Sequence, residues 1–292
     1  MYIELIRLFK NRNFYISILG LLLIVLMSVI TGVRNFNENY NLYQSLFKNN
    51  KEVLVFVSPY KEWVGLSISN VFSSLYYFLF PLLISISLTD SIYIDKNTGN
   101  INYSLMRMSK VSYFSKKFLF TYIISFLLFV LPLAIGILLI NILAGHWDYS
   151  NYTNFYKEML EGTVSLPDDT FIGDKKDLFS DLLAKSPYLY IAVYYLLGGL
   201  FASGYICIGL AFSLINNNRY LIIFFPQIVY IGSWLIFTVV GKLSWDPFNF
   251  LDPKQPVEGL SYTIIIYVYF IQLIIALIMY LYGVKKNRDV FS

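Results

Sequence analysis

The sequence predicts an all-α membrane protein with six transmembrane helices. Its 292 residues are 57% hydrophobic and 14% charged, with a mean hydropathy of +0.60, whereas soluble domains carry about 25% charged residues. The apolar residues also fall into six runs that contain no charged residue. Each run reaches about the 20 residues that a helix needs to cross the hydrocarbon core of a bilayer.

We expect a single membrane domain over residues 1–292. The first apolar run follows basic residues, as the core of a signal peptide does, but it is longer than such a core. It ends at Val33, directly before Arg34, rather than in a small-residue cleavage site, so we expect a retained span. The predicted spans cover residues 14–33, 67–89, 118–143, 189–214, 220–241 and 261–284.

Lysine and arginine predict the orientation, because they concentrate on the cytoplasmic side of membrane proteins. The two termini and the connections after spans two and four hold 12 of the 22 basic residues. The longer connections 34–62, 146–185 and 242–258 hold the other 10. Both termini are therefore predicted to be cytoplasmic and these three connections extracellular. A composition rich in Asn, Ile, Lys and Tyr suggests a low-GC bacterium, hence a bacterial plasma membrane.

Residues 1–13 have the pattern of a short amphipathic helix. Ile6 and Phe9 fall near one face, and Glu4 and Arg7 fall on another. Such a helix lies in the membrane interface, here on the cytoplasmic side. A polar tail that only orients the protein explains the pattern equally well.

Residues 95–117, between spans two and three, form the most basic polar segment, with Asp95 as the only acid. Ile101, Leu105 and Met108 recur at i, i+4 and i+7, which places them on one face of a helix. Gly99 lets the chain turn into that helix. A basic amphipathic helix between two spans suits docking onto a cytoplasmic partner or lying along lipid headgroups.

The connection between spans five and six is aromatic and interrupted by prolines. Trp245, Phe248 and Phe250 suit the headgroup level of a bilayer. Prolines 247, 253 and 256 prevent a long helix. We expect broken, re-entrant helices, which a membrane tolerates where protein covers the backbone.

The fourth span carries small residues four apart, which let another helix approach closely. Gly198 with Ala202 and Gly199 with Ser203 have this spacing. The approaching helix is either another span of the chain or one from a second protomer. Amides at membrane depth are expected to hydrogen-bond between helices. These are Asn70, Asn141, Gln227 and Gln272.

The sequence contains no catalytic motif. A phosphate-binding loop, an HExxH helix and a GxSxG elbow are all missing. With one histidine, His146, and one cysteine, Cys207, neither a cysteine–histidine zinc site nor an internal disulfide is expected. We expect no enzymatic activity, no metal and no cofactor in this chain. A net charge of +4 is too small to indicate nucleic acid, and spans without charges argue against ion-coupled transport.

This layout resembles the permease family of type-2 ABC exporters over nearly the whole chain. The first cytoplasmic loop of that family carries an acid, Gly-Thr followed by Ile or Leu, a Leu pair, and a Pro with a small or basic residue. A Lys then opens the third span. Asn100 replaces the Thr here, and Met108 stands where the Pro is expected. The matching residues are Asp95, Gly99, Asn100, Ile101, Leu105, Ser109, Lys110 and Lys117.

The resemblance implies a homodimer of permease protomers and two copies of a cytoplasmic ABC ATPase subunit, which binds ATP and magnesium. It assigns the coupling helix to Asp95, Gly99, Ile101, Leu105, Arg107 and Met108, and the outer gate to Trp245, Phe248 and Phe250. Uncharged, aromatic spans suit export of a hydrophobic or amphipathic substrate, most simply a peptide. The alternative is a non-transporting immunity or sensor protein that binds a peptide through its outer loops.

Overall fold

The structure is a computed structural model that describes residues 2–47, 57–67, 70–160, 178–253, 257 and 259–286. Of these residues, 83% are helical, and none of them forms a strand. The prediction of an all-α fold is confirmed.

The helices follow one another along the chain with short connections. They are α1 (Tyr2–Lys10), α2 (Arg12–Phe47), α3 (Val71–Leu88), α4 (Ser91–Asn97), α5 (Asn100–Leu105) and α6 (Lys110–Ala144). The chain continues with α7 (Ser150–Leu160), α8 (Ser180–Leu183), α9 (Pro187–Phe212), α10 (Arg219–Val240), α11 (Pro247–Phe250) and α12 (Tyr262–Lys286). Two 3-10 helices cover Pro59–Glu62 and Leu243–Trp245.

Within the described ranges, six helical segments are long and apolar enough to cross a membrane. They are α2, α3 together with α4, α6, α9, α10 and α12. The number of spans agrees with the sequence, and the chain is a multi-pass membrane protein.

Two of these helices extend further than the apolar runs predicted. Helix α2 continues to Phe47, into the connection predicted to begin at residue 34. No proline or glycine interrupts it after Gly32, and Arg34 pairs with Glu38 one turn later at 2.7 Å. Helix α6 begins at Lys110, before the predicted start at residue 118, because the Ser109 hydroxyl caps it by accepting from the Ser112 N–H.

Helix α9 is the central helix of the bundle, and it packs against α3, α6, α10 and α12. Its small residues are the points of closest approach. A Cβ atom built at Gly198 would lie 2.4 Å from the Phe129 ring of α6, and one at Gly204 would lie 2.6 Å from the Gln272 amide of α12. The predicted close approach at Gly198 is confirmed, and the approaching helix belongs to the same chain.

The amides at membrane depth connect separate elements. Gln227 of α10 donates to the Phe78 carbonyl and accepts from the Leu82 N–H, at 2.8 and 3.1 Å. In a regular helix these two backbone groups pair with each other, so the Gln227 amide bridges α3 beside Pro81. The other three also bridge elements: Asn70 donates to the Ser28 carbonyl, Asn141 accepts from the Trp63 indole, and Gln272 donates to the Phe201 carbonyl.

We predict that Gly198→Ala destabilises the bundle by about 1–3 kcal/mol, because the added methyl group meets a ring that cannot move. Phe129 is fully buried and is held by edge-to-face contacts with Tyr76 and Phe80. Gly232→Ala is the matched control, since a Cβ atom there meets nothing within 4 Å. Thermal unfolding in detergent checks both variants, and equal melting temperatures for the two would contradict this packing.

Candidate functional site

The most distinctive polar region lies where α1, α4 and α5 meet the first turns of α6 and α10, which we call the charged end. Both chain termini lie at this end. Helix α1 contacts Asp95 of α4 through Arg7, and the last turns of α12 contact α6 and α9 through Tyr280 and Gly283.

At the centre of the charged end is an ion pair between Asp95 of α4 and Lys117 of α6. The two residues are only 5% and 3% exposed. The Tyr113 hydroxyl, one turn before Lys117 on α6, also donates to the Asp95 carboxylate. Arg7 reaches the other carboxylate oxygen at 3.4 Å. Because a buried charge is tolerated only with such partners, this network fixes α4 against α6 and brings α1 to both.

A second ion pair ties the connection between α3 and α4 to α10. Asp90 is fully buried, and one of its carboxylate oxygens accepts from the Arg219 guanidinium at 2.8 Å. Lys96 of α4 donates to the Leu214 carbonyl, after α9, at 3.4 Å. The charged end is therefore joined by polar contacts to every helix that begins or ends near it, except α12.

Helix α5 is short but firmly placed. Gly99, before its first residue, has φ of +70°, a left-handed conformation that glycine adopts without strain. Ile101 is buried against Ile92, Phe114 and Leu210. Leu105 and Met108 are partly buried against the same cluster. The apolar stripe seen in the sequence thus faces the bundle rather than solvent.

The opposite face of α5 is open. Tyr103 and Met106 are 70% and 81% exposed, and Arg107 is also exposed. Of the residues predicted for the coupling helix, Asp95, Ile101, Leu105 and Met108 therefore contact the bundle, and Arg107 is on the surface. Sequence reasoning missed Tyr103 and Met106. Their spacing from the buried Ile101 would have identified them only if the covered face had been known.

The residues predicted for an outer gate lie at the opposite end of the bundle. A 3-10 helix, Leu243–Trp245, and α11 form the expected broken helices between α10 and α12. Phe250 is 2% exposed and stacks edge-on against Phe201 of α9, with ring centroids 5.3 Å apart. Phe248 contacts Trp234 of α10 at 5.2 Å. Trp245 is half-buried.

Asp246 holds this segment in place. It is fully buried, caps α11 by accepting from the Phe248 N–H at 3.3 Å, and accepts from the Asn249 amide at 2.9 Å. Burial raises the pKa of Asp246 to about 7, although these hydrogen bonds act in the opposite direction.

Comparison of the chain with family models, with curated proteins and with solved structures finds no match. The assignment of a function therefore depends on the geometry of these two ends.

We predict that Asp95→Asn destabilises the protein by about 3–5 kcal/mol, because it leaves the buried Lys117 ammonium without its counter-ion. The double variant Asp95→Asn/Lys117→Met removes both charges and should be more stable than the single variant. Thermal unfolding in detergent measures both. A double variant less stable than Asp95→Asn would show that the two charges do not depend on each other.

We predict that the stability of the opposite end falls as the pH rises from about 4 to about 7. The pKa of Asp246 is about 7 in the folded protein against an ordinary 3.8, so between these values the folded state holds a proton that the unfolded state has lost. The contribution is complete below the lower value and is lost as the pH rises through the higher one. Asp246→Asn should remove this part of the pH dependence. Melting temperatures measured across this pH range test it, and parallel curves for the two proteins would contradict it.

Proposed function

We propose that the chain is the membrane-spanning subunit of an ATP-driven type-2 ABC exporter, in which α5 docks onto a cytoplasmic ATPase. One observation carries the proposal: between the second and third spanning helices lies a short helix with one face anchored to the bundle and the other face open. The open face presents Tyr103, Met106 and Arg107. Aromatic side chains, Met and Arg are enriched at protein interfaces.

The anchoring supports a mechanical role for α5. A motor that moves a docking helix does work on a membrane domain only if the helix and the spans move together. Here α5 packs on Ile92 and Phe114, and the Asp95–Lys117 pair joins its flanks, α4 and α6. Helix α6 then runs the length of the bundle and packs on α9.

The basic residues of the charged end support a cytoplasmic orientation, with α5 and both termini inside the cell. In this arrangement, Trp245, Phe248 and Phe250 form a gate on the outer side of a bacterial plasma membrane. ATP and magnesium bind to the ATPase subunit, of which the complex holds two copies, and this chain itself is not an enzyme.

A cavity beside the charged end supports an apolar or amphipathic cargo. It has a volume of about 350 Å³ and lies between α6 and α12, with α9 as its floor. Phe118, Tyr122, Leu273 and Tyr280 are among the lining side chains, and Cys207 closes the back. An amphipathic peptide that leaves the cytoplasm or inner leaflet would meet this cavity. The largely exposed apolar surfaces of α10 and α12 suit lipid and a second protomer of the same chain.

We predict that Tyr103→Asp/Met106→Asp lowers co-purification of the partner ATPase about tenfold or more, since charges replace two apolar contacts. An ABC ATPase encoded beside this chain is the first candidate for co-expression. The matched control is Leu42→Asp/Leu46→Asp, which places two charges at exposed apolar positions at the opposite end of α2.

Full retention of the ATPase by Tyr103→Asp/Met106→Asp would contradict the docking role of α5. The alternative, a non-transporting immunity or sensor protein, makes the reverse prediction. In that case, changes on α5 leave protection intact, and removal of the connection 146–185 abolishes it.

A further inference from the structure

A second cavity at the charged end has a strong excess of positive charge. It has a volume of about 300 Å³ and lies between α1, α5 and the first turns of α6. Its wall contains four cations and one acid: Arg7, Arg107, Lys116, Lys117 and Glu4.

The four cations are not equivalent. Lys117 is paired with Asp95, and Arg7 is shared between Asp95 and Glu4 at 3.4 and 3.5 Å. Arg107 and Lys116 have no acidic partner among the residues that the structure describes. The cavity therefore presents two unpaired positive charges next to a network that is already balanced.

The arrangement suits a phosphoryl group. A guanidinium offers paired N–H donors that match the oxygens of a phosphate, and an ammonium adds a compact charge. The Tyr103 hydroxyl lines the same cavity and supplies a further donor. A volume of about 300 Å³ is at the lower end of ligand pockets, so it holds one headgroup rather than a large cargo.

The surroundings identify the source of the phosphoryl group. Ile6 and Phe9 on α1, and Val111 at the start of α6, are exposed apolar side chains next to the basic wall. An amphipathic helix with such residues lies at the level where headgroups meet acyl chains. A soluble phosphate would leave these side chains in water, whereas a lipid covers them with its chains.

We propose that this cavity binds the phosphoryl headgroup of an anionic phospholipid, held by Arg107, Lys116 and the Tyr103 hydroxyl. The bound headgroup joins α1, α5 and α6 at the membrane surface. The proposal concerns the chain alone and does not require an ATPase.

The test is titration of the purified full chain, in neutral detergent, with phosphatidylglycerol, and native mass spectrometry counts the bound lipid. We expect one tightly bound lipid, whose affinity falls about tenfold or more in Arg107→Gln/Lys116→Gln. The control Lys10→Gln/Arg12→Gln removes the same charge from the same end but outside the cavity, and should lower the affinity far less. Tyr103→Phe, which removes only the hydroxyl, should give a smaller loss than the double variant.

Two further titrations separate the sources of the phosphoryl group. Phosphatidylcholine with the same acyl chains should bind weakly, because its headgroup carries no net charge. Inorganic phosphate at millimolar concentration should not displace phosphatidylglycerol. Displacement by phosphate would replace the lipid with a free anion. Equal losses in the two double variants, or equal binding of phosphatidylcholine, would show a general surface attraction; either result overturns the proposal. Melting temperatures without lipid confirm that each variant is folded.

Discussion

The pairing of a buried carboxylate with a buried ammonium governs the arrangement of the charged end. Neither Asp95 nor Lys117 is tolerated in the apolar interior alone, so α4 and the start of α6 must remain together. A helix of six residues has little stability of its own. Helix α5 persists because both of its flanks are held and because Ile101 inserts into the bundle.

The two ends of the bundle are built from different interactions, and α9 connects them. At the charged end, ion pairs join α1, α4, α6 and α10. At the opposite end, aromatic contacts and the buried Asp246 hold the broken helices against α9 and α10. Between them, the close contact of Gly198 with Phe129 leaves α6 and α9 no room to slide independently. A displacement applied at α5 therefore has a continuous path of packed side chains to Phe250.

Fold class and the number of spans could be predicted from the sequence, because the lengths of charge-free runs are local properties. The ends of the helices could not, since the polar residues of α2 as far as Phe47 carry no hydropathy signal although nothing interrupts their helix. Periodicity identified an apolar face on α5 but not what covers it. The covering residues Ile92 and Leu210 come from α4 and α9, and only the folded chain brings them together. Asp95 was recognised by its place in a motif, whereas its role depends on Lys117, 22 residues away.

The central claim is that the Asp95–Lys117 pair holds α5 rigidly on the bundle. The most direct test is a pulsed electron-spin distance measurement in a Cys207→Ser background. Spin labels replace Tyr103 on α5 and Tyr220 on α10, two exposed positions at the charged end. We predict a single narrow distance distribution for the otherwise unchanged chain and a broad one after Asp95→Asn. Equally narrow distributions in both proteins would contradict the claim.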